Sequence, residues 1–200
     1  MRKRVFAVSV RVFCLAAVAV VSAGTVDYQV PDPIPVIEQP TSLTCWAAAA
    51  AMMQSWKDKT SYPIKAALDK SGDAAWSVKF AANQPMRGNE KPSFLQALKL
   101  RSEPPVNYSA EGLQAMLKNH GPLWVTVSTM DPDDKFSTHA RILYGITGDG
   151  TADGTFLQII DPDGGRRYSE ALGTFTRKFE EIARVANGDN GELRPQIVHF

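Results

Sequence analysis

The chain has 200 residues, 44% of them hydrophobic and 22% charged, with a formal net charge of +1. That length supports one domain whose core stands without disulfide or metal staples. There is no basic block, repeat or low-complexity tract, which argues against nucleic acid or an anionic membrane as partner.

Arg2, Lys3 and Arg4 precede an apolar run from Val12 to Val21, and Val21-Ser22-Ala23 is a small-residue site suited to cleavage before Gly24. This is the layout of a secretory signal over 1–23. Arg11 interrupts the apolar stretch and leaves it short for a membrane span. The mature protein is therefore expected to be secreted or periplasmic, with no stable membrane association. The segment carries Arg2, Lys3, Arg4 and Arg11 and no acid, so 22 basic residues become 18 against 21 acidic ones. It also takes Cys14 with it and leaves Cys45 as the single cysteine. An exported chain with one cysteine makes no internal disulfide, and its unpaired thiol invites a functional explanation.

Residues 24–35 read as an extended, proline-punctuated arm along the surface, ahead of a domain over 36–200. From Cys45 to Lys57 nothing breaks a helix, and the run Ala47 to Ala51 has the highest intrinsic helix propensity. Pro40 stops that helix from extending backwards, and Thr44 or Ser42 is placed to cap it. The Cys45 thiol then lies in the first turn, where unpaired N–H groups and the helix dipole favour the thiolate. A short helix is expected over Tyr62 to Lys70, loop over Gly72 to Lys91, and helices over Pro92 to Leu100 and Ser109 to Asn119. The period then changes. Leu123 to Val127, His139 to Ile146, Thr155 to Ile160 and Arg166 to Tyr168 read as strands, Phe175 to Val185 as a helix, and Gln196 to Phe200 as a closing strand. Helices first and an antiparallel sheet second is an α+β pattern in two lobes, with the Cys45 helix packed on the sheet.

The hairpin carries a pairing. With its turn centred near Gly150, His139 and Asp161 are equidistant from the turn and face each other across two strands, within side-chain reach. A carboxylate there can fix the tautomer of the imidazole and stabilise its charged form. Taken singly, His139 also reads as a satisfied histidine and Asp161 as the start of the turn Asp161-Pro162-Asp163-Gly164. With a lone exported cysteine they form a Cys–His–Asp set. His120, at a helix end, and His199, near the chain end, have no metal-ligand spacing, and the Asp-rich segments lack a full calcium ligand set. Neither a metal nor a cofactor is expected.

Gln39-x5-Cys45-Trp46 at the head of a helix resembles the papain-like cysteine peptidases, in which a glutamine six residues before the nucleophile contributes to the oxyanion hole. His139-Ala140-Arg141-Ile142 followed by Ile160-Asp161-Pro162 is similar to the bacterial branches of that clan, the effector-type peptidases and, more distantly, those that process bacteriocin leaders. The resemblance spans roughly Val36 to Leu172 and implies a papain-like two-lobed fold. It makes Cys45 the nucleophile, His139 the general base and then acid, Asp161 the orienter, and Gln39 an oxyanion donor beside the Cys45 N–H. Plant-type members carry Asn where this chain has Asp161, and a glycine-rich run where it has Pro40 to Thr44. The expected activity is an exported thiol hydrolase acting on protein or peptide. An acyltransferase or cell-wall amidase, or a binding module with an idle triad, are the alternatives.

Overall fold

The computed structural model describes residues 24–130, 136–189 and 197–200. The expected signal over 1–23, the loop 131–135 and Gln196 lie outside the described residues. Among the described residues there are six helices and seven strands. The helices α1 (Cys45–Asp58), α2 (Ile64–Asp69), α3 (Ala74–Ala81) and α4 (Lys91–Ala97) follow the short strand β1 (Val26–Gln29). After β2 (Arg101–Ser102) and α5 (Ala110–His120) come β3 (Leu123–Met130), β4 (Phe136–Gly148), β5 (Thr155–Asp161) and β6 (Arg166–Ala171), then α6 (Leu172–Asp189) and β7 (Ile197–His199). The strands form one antiparallel sheet in the order β2-β7-β3-β4-β5-β6, with β1 paired to the far half of β4.

Strand alternation divides the core in two. Trp124, Ala140, Ile142, Tyr144, Ile160 and Val198 pack with α1 and the helices that follow it. Leu123, Val125, Val127, Leu143, Leu157, Ile159 and Ile197 pack with α5, α6 and Val26. The fold is thus α+β with the Cys45 helix on the sheet, as expected, and α5 and α6 form a further layer behind it. Residues Ala47 to Ala51, Met52 and Met53 of α1 are completely buried, as in a helix surrounded by protein on most sides. Among the described residues no helix is long and apolar enough to cross a membrane.

Three expectations are corrected. The arm over 24–35 is not a surface tether: Val26 to Gln29 pair with Gly148 to Gly145, and Val26, Val30 and Ile34 are buried. The stretch 72–91 contains helix α3, because the Asp73 carboxylate caps the Ala75 N–H and Trp76 inserts into the first core. Thr44 does occupy the N-cap of α1, but its hydroxyl turns back to donate to the Thr41 carbonyl at 2.9 Å and caps nothing. Apart from the two-residue strand β2, which the sequence reading does not contain, the other elements match it within a few residues. Ser109 caps α5 through the Gly112 N–H, and Gly121 ends it with φ of 77°.

Candidate active site

Cys45 is the first residue of α1, free and half-buried. Its N–H belongs to the first turn, whose donors have no partner inside the helix, and the Thr44 hydroxyl does not supply one. The next residue anchors it. Trp46 is buried, stands edge-on to Phe94 at 5.3 Å and to Trp76 at 6.5 Å, and donates from Nε1 to the Gln84 carbonyl at 3.1 Å. Each such aromatic pair contributes about 0.5–1.5 kcal/mol beyond area burial, so the thiol stands on a rigid turn.

His139 on β4 and Asp161 at the end of β5 come together: Nε2 lies 2.6 Å from Oδ1. The register that joins them differs from the expected one. Ile142 pairs with Ile160 and Leu143 with Ile159, and a bulge follows between Leu143 and Gly145. Continuing that register sets Asp161 across from Arg141, two residues from His139. A slip of two preserves the face, and diagonal neighbours on one face are within reach of a long side chain.

Donor chemistry fixes the proton positions. Asp161 Oδ1 also accepts the Asp163 N–H at 2.9 Å, and Oδ2 lies 3.2 Å from the Tyr168 hydroxyl. Burial works against the Asp161 charge, but the His139 bond, the Asp163 N–H and the nearby Arg141 outweigh it and hold the carboxyl below its usual range. An ionised carboxylate only accepts, so His139 carries a hydrogen on Nε2 toward Asp161, which leaves Nδ1 as the ring nitrogen that can serve Cys45, the nearby thiol that helps to raise the ring. Burial disfavours the imidazolium. The bonds to Asp161 and Cys45 and their charges prevail and push His139 up to about 9.

Gln39 sits in the same cleft wall as His139 and Asp161. Its N–H donates to the Pro162 carbonyl at 2.9 Å, which ties the segment before α1 to the end of β5. Its side-chain Nε2 donates one hydrogen to the Thr41 carbonyl at 2.9 Å, and an amide nitrogen carries two.

Two groups beside the site were missed in the sequence. Arg141 is 2% exposed and donates to the Tyr168 hydroxyl at 2.5 Å and to Glu170 at 3.0 Å. It stands two residues after His139 on a strand, and that spacing alone places it on the same face. Lys91 is buried beside a cavity of about 130 Å³ that Cys45, Trp46, Met86 and Trp124 also line. Its Nζ lies 3.1 Å from the Thr126 hydroxyl and 5.2 Å over the Trp124 ring, and burial brings it down to about 8. The sequence has no sign of this, because a lysine at a helix start reads as solvated.

Elsewhere, Glu103, His120 and His199 bring ligand-type atoms within 4.8 Å of one another. His199 contacts Glu103 through Nε2 and the Phe200 carbonyl through Nδ1, both at 2.7 Å. His120 stacks on the His199 ring at 3.8 Å with the planes 27° apart, and rings so stacked do not aim their in-plane lone pairs at one metal.

A helix that offers its thiol to a histidine borne on an antiparallel sheet places the protein in the papain-like class of cysteine peptidases. Residues 26–180 match the family model described as papain-like cysteine protease AvrRpt2, and the chain belongs to that family. It is a cysteine peptidase, a thiol hydrolase whose substrates are proteins. The match begins at the first residue of β1, in keeping with that strand's place in the sheet. No curated protein matches the chain.

Proposed function

We propose that the protein cleaves peptide bonds through an acyl-enzyme on Cys45, with His139 as proton carrier, Asp161 as orienter and Gln39 as oxyanion donor. The observation that carries this reading is the His139 Nε2 to Asp161 Oδ1 bond at 2.6 Å, in a ring that the neighbouring Asp161 and Cys45 hold up to about 9. Cys45 attacks the scissile carbonyl as thiolate, its proton residing on His139. The charge that develops on the carbonyl oxygen is met by the Cys45 N–H and the second Gln39 amide hydrogen. His139 gives its proton to the departing amine, then takes one from the water that hydrolyses the thioester, and the thiolate is restored. Export through a cleaved signal over 1–23 completes the reading and places the peptidase outside the cytoplasm.

Stoichiometric alkylation tests it. Iodoacetamide added to the protein should abolish cleavage of fluorescein-labelled casein in step with one carboxamidomethyl group on Cys45, read by mass. Full alkylation with cleavage intact would remove Cys45 from the mechanism. Cleavage of peptidoglycan fragments with casein left whole would turn the assignment to an amidase.

A further inference from the structure

The group that touches Asp161 from the side away from His139 has no part in the chemistry above. Tyr168 lies on β6, opposite Ile159 of β5, and Asp161 is two residues further along β5, so Tyr168 and Asp161 share a face. The Tyr168 oxygen lies 3.2 Å from Asp161 Oδ2 and receives an Arg141 Nη1 hydrogen at 2.5 Å. A guanidinium can only donate, so the phenol oxygen is the acceptor in that bond. Its single hydrogen is then committed to the carboxylate. Burial raises the Tyr168 phenol above its ordinary value, with Arg141 opposing, so the hydrogen stays in place.

Arg141 is itself clamped. Its Nη2 donates to Glu170 Oε2 at 3.0 Å, and the other Glu170 oxygen pairs with Lys178 of α6. Charges of alternating sign therefore run from α6 to the histidine: Lys178, Glu170, Arg141, the neutral phenol, Asp161, His139. All three described acceptor contacts of the Asp161 carboxylate are charge-assisted, from the His139 ring, the Asp163 N–H and the Tyr168 hydroxyl. Only the last can be removed without altering either the backbone or the reacting set.

We propose that Tyr168, fixed by Arg141, is a positioning residue of the peptidase: its hydroxyl holds Asp161 rotated so that Oδ1 meets His139. This rests on the assignment of Asp161 to His139 made above. Losing the hydroxyl leaves a buried carboxylate oxygen without its donor and frees the carboxylate to turn, which weakens the bond to the imidazole. Tyr168→Phe deletes that oxygen alone and keeps the ring. The change should lower cleavage of labelled casein about tenfold, the size of one hydrogen bond to a charged group.

The discriminating readout is the titration of His139 followed by NMR of histidine labelled with carbon-13 in the intact protein, its signal assigned by loss in His139→Ala. The midpoint should fall from about 9 in the wild type. The expected drop is at least half a pH unit in Tyr168→Phe and larger in Asp161→Ala, with no further drop in the double variant. Coupling of that kind is the mark of residues acting through one another. An unchanged midpoint in Tyr168→Phe, or an equal drop with and without Asp161, overturns the assignment of Tyr168 and leaves the triad standing. If Asp161→Ala itself leaves the midpoint at its wild-type value, the pairing under both readings is wrong. Arg141→Lys, which keeps the charge but not the planar fork, should reproduce part of the Tyr168→Phe shift.

Discussion

Asp161→Asn separates what the carboxylate does by charge from what it does by geometry. The outcome depends on which way the new amide faces. The Asp163 N–H donates to the Oδ1 position, 2.9 Å away, so the amide oxygen belongs there and not its NH₂ group. His139 Nε2–H then keeps an acceptor, and Nδ1 stays available to serve Cys45. What is lost is the negative charge. His139 is raised from the ordinary histidine value of about 6.5 to about 9, and Asp161 heads the interactions that raise it. A fall all the way back to 6.5 would reduce the imidazolium at pH 7.5 from nearly all molecules to about a tenth. Cleavage should therefore drop by up to about tenfold at pH 7.5, and Cys45, which also supports the charge, makes this a ceiling. At pH 6 about three quarters of the ring is still charged in that limit, so activity there should be close to wild type. The assay is the pH profile of casein cleavage by both proteins, whose alkaline limb should move down in the variant. A loss of several orders of magnitude at every pH would mean a flipped amide and the wrong tautomer, which costs roughly 10⁴ in a serine-protease triad. That result would overturn the placement of the amide oxygen, and an unmoved alkaline limb would mean that Asp161 does not support the charge on His139.

Cys45→Ala and His139→Ala should each abolish turnover, and the double variant should be no worse, because members of a catalytic unit are non-additive. Gln39→Ala should lower kcat on the order of a hundredfold, the usual cost of one oxyanion donor. The same variant should leave the rate of Cys45 alkylation unchanged, since alkylation builds no oxyanion. Gly121→Ala should lower Tm, because a Cβ there would lie 2.2 Å from Trp56 Cη2 on a backbone with φ of 77°; the cost expected is about 1–3 kcal/mol in urea unfolding. Protein recovered from outside the cytoplasm should have the intact mass of a chain that begins at or near Gly24, and a mass that includes Arg2 to Arg4 would count against export by cleavage.

The parts of this site that could be read from the sequence are those where local chemistry and long-range packing agree. The alanine run after Cys45 is both the best helix former and completely buried in a helix packed on the sheet. His139 and Asp161 were legible as a pair because a two-residue error in register leaves a side chain on its own face. The error itself came from the turn. Gly148 and Thr155 close the hairpin, so its centre lies beyond Gly150, and the bulge after Leu143 shifts the count again. Neither can be counted from composition. Helix α3 was hidden between Gly72 and Pro85, although Asp73 is a good cap and Trp76 and Phe80 lie one turn apart. Strand β1 is four residues long and has a partner more than a hundred residues away, so only the sheet reveals it. Arg141 and Tyr168 escaped notice because polar residues on a strand ordinarily mean a solvated face. Here that face is buried and its polar groups are paired with one another.

The mechanism turns on a covalent intermediate at Cys45, which acid-quenched mass spectrometry of the enzyme during turnover would capture. Casein mixed with excess protein for a fraction of a turnover, then denatured in acid and digested, should yield the peptide that carries Cys45 with a peptidyl mass added as a hydroxylamine-labile thioester. Its amount should rise together with the free amine-side fragment and before the free acid-side fragment, which only hydrolysis of the thioester releases. Product that accumulates with Cys45 unmodified at every time sampled, or an adduct that forms equally in His139→Ala, would exclude an acyl-enzyme that depends on His139.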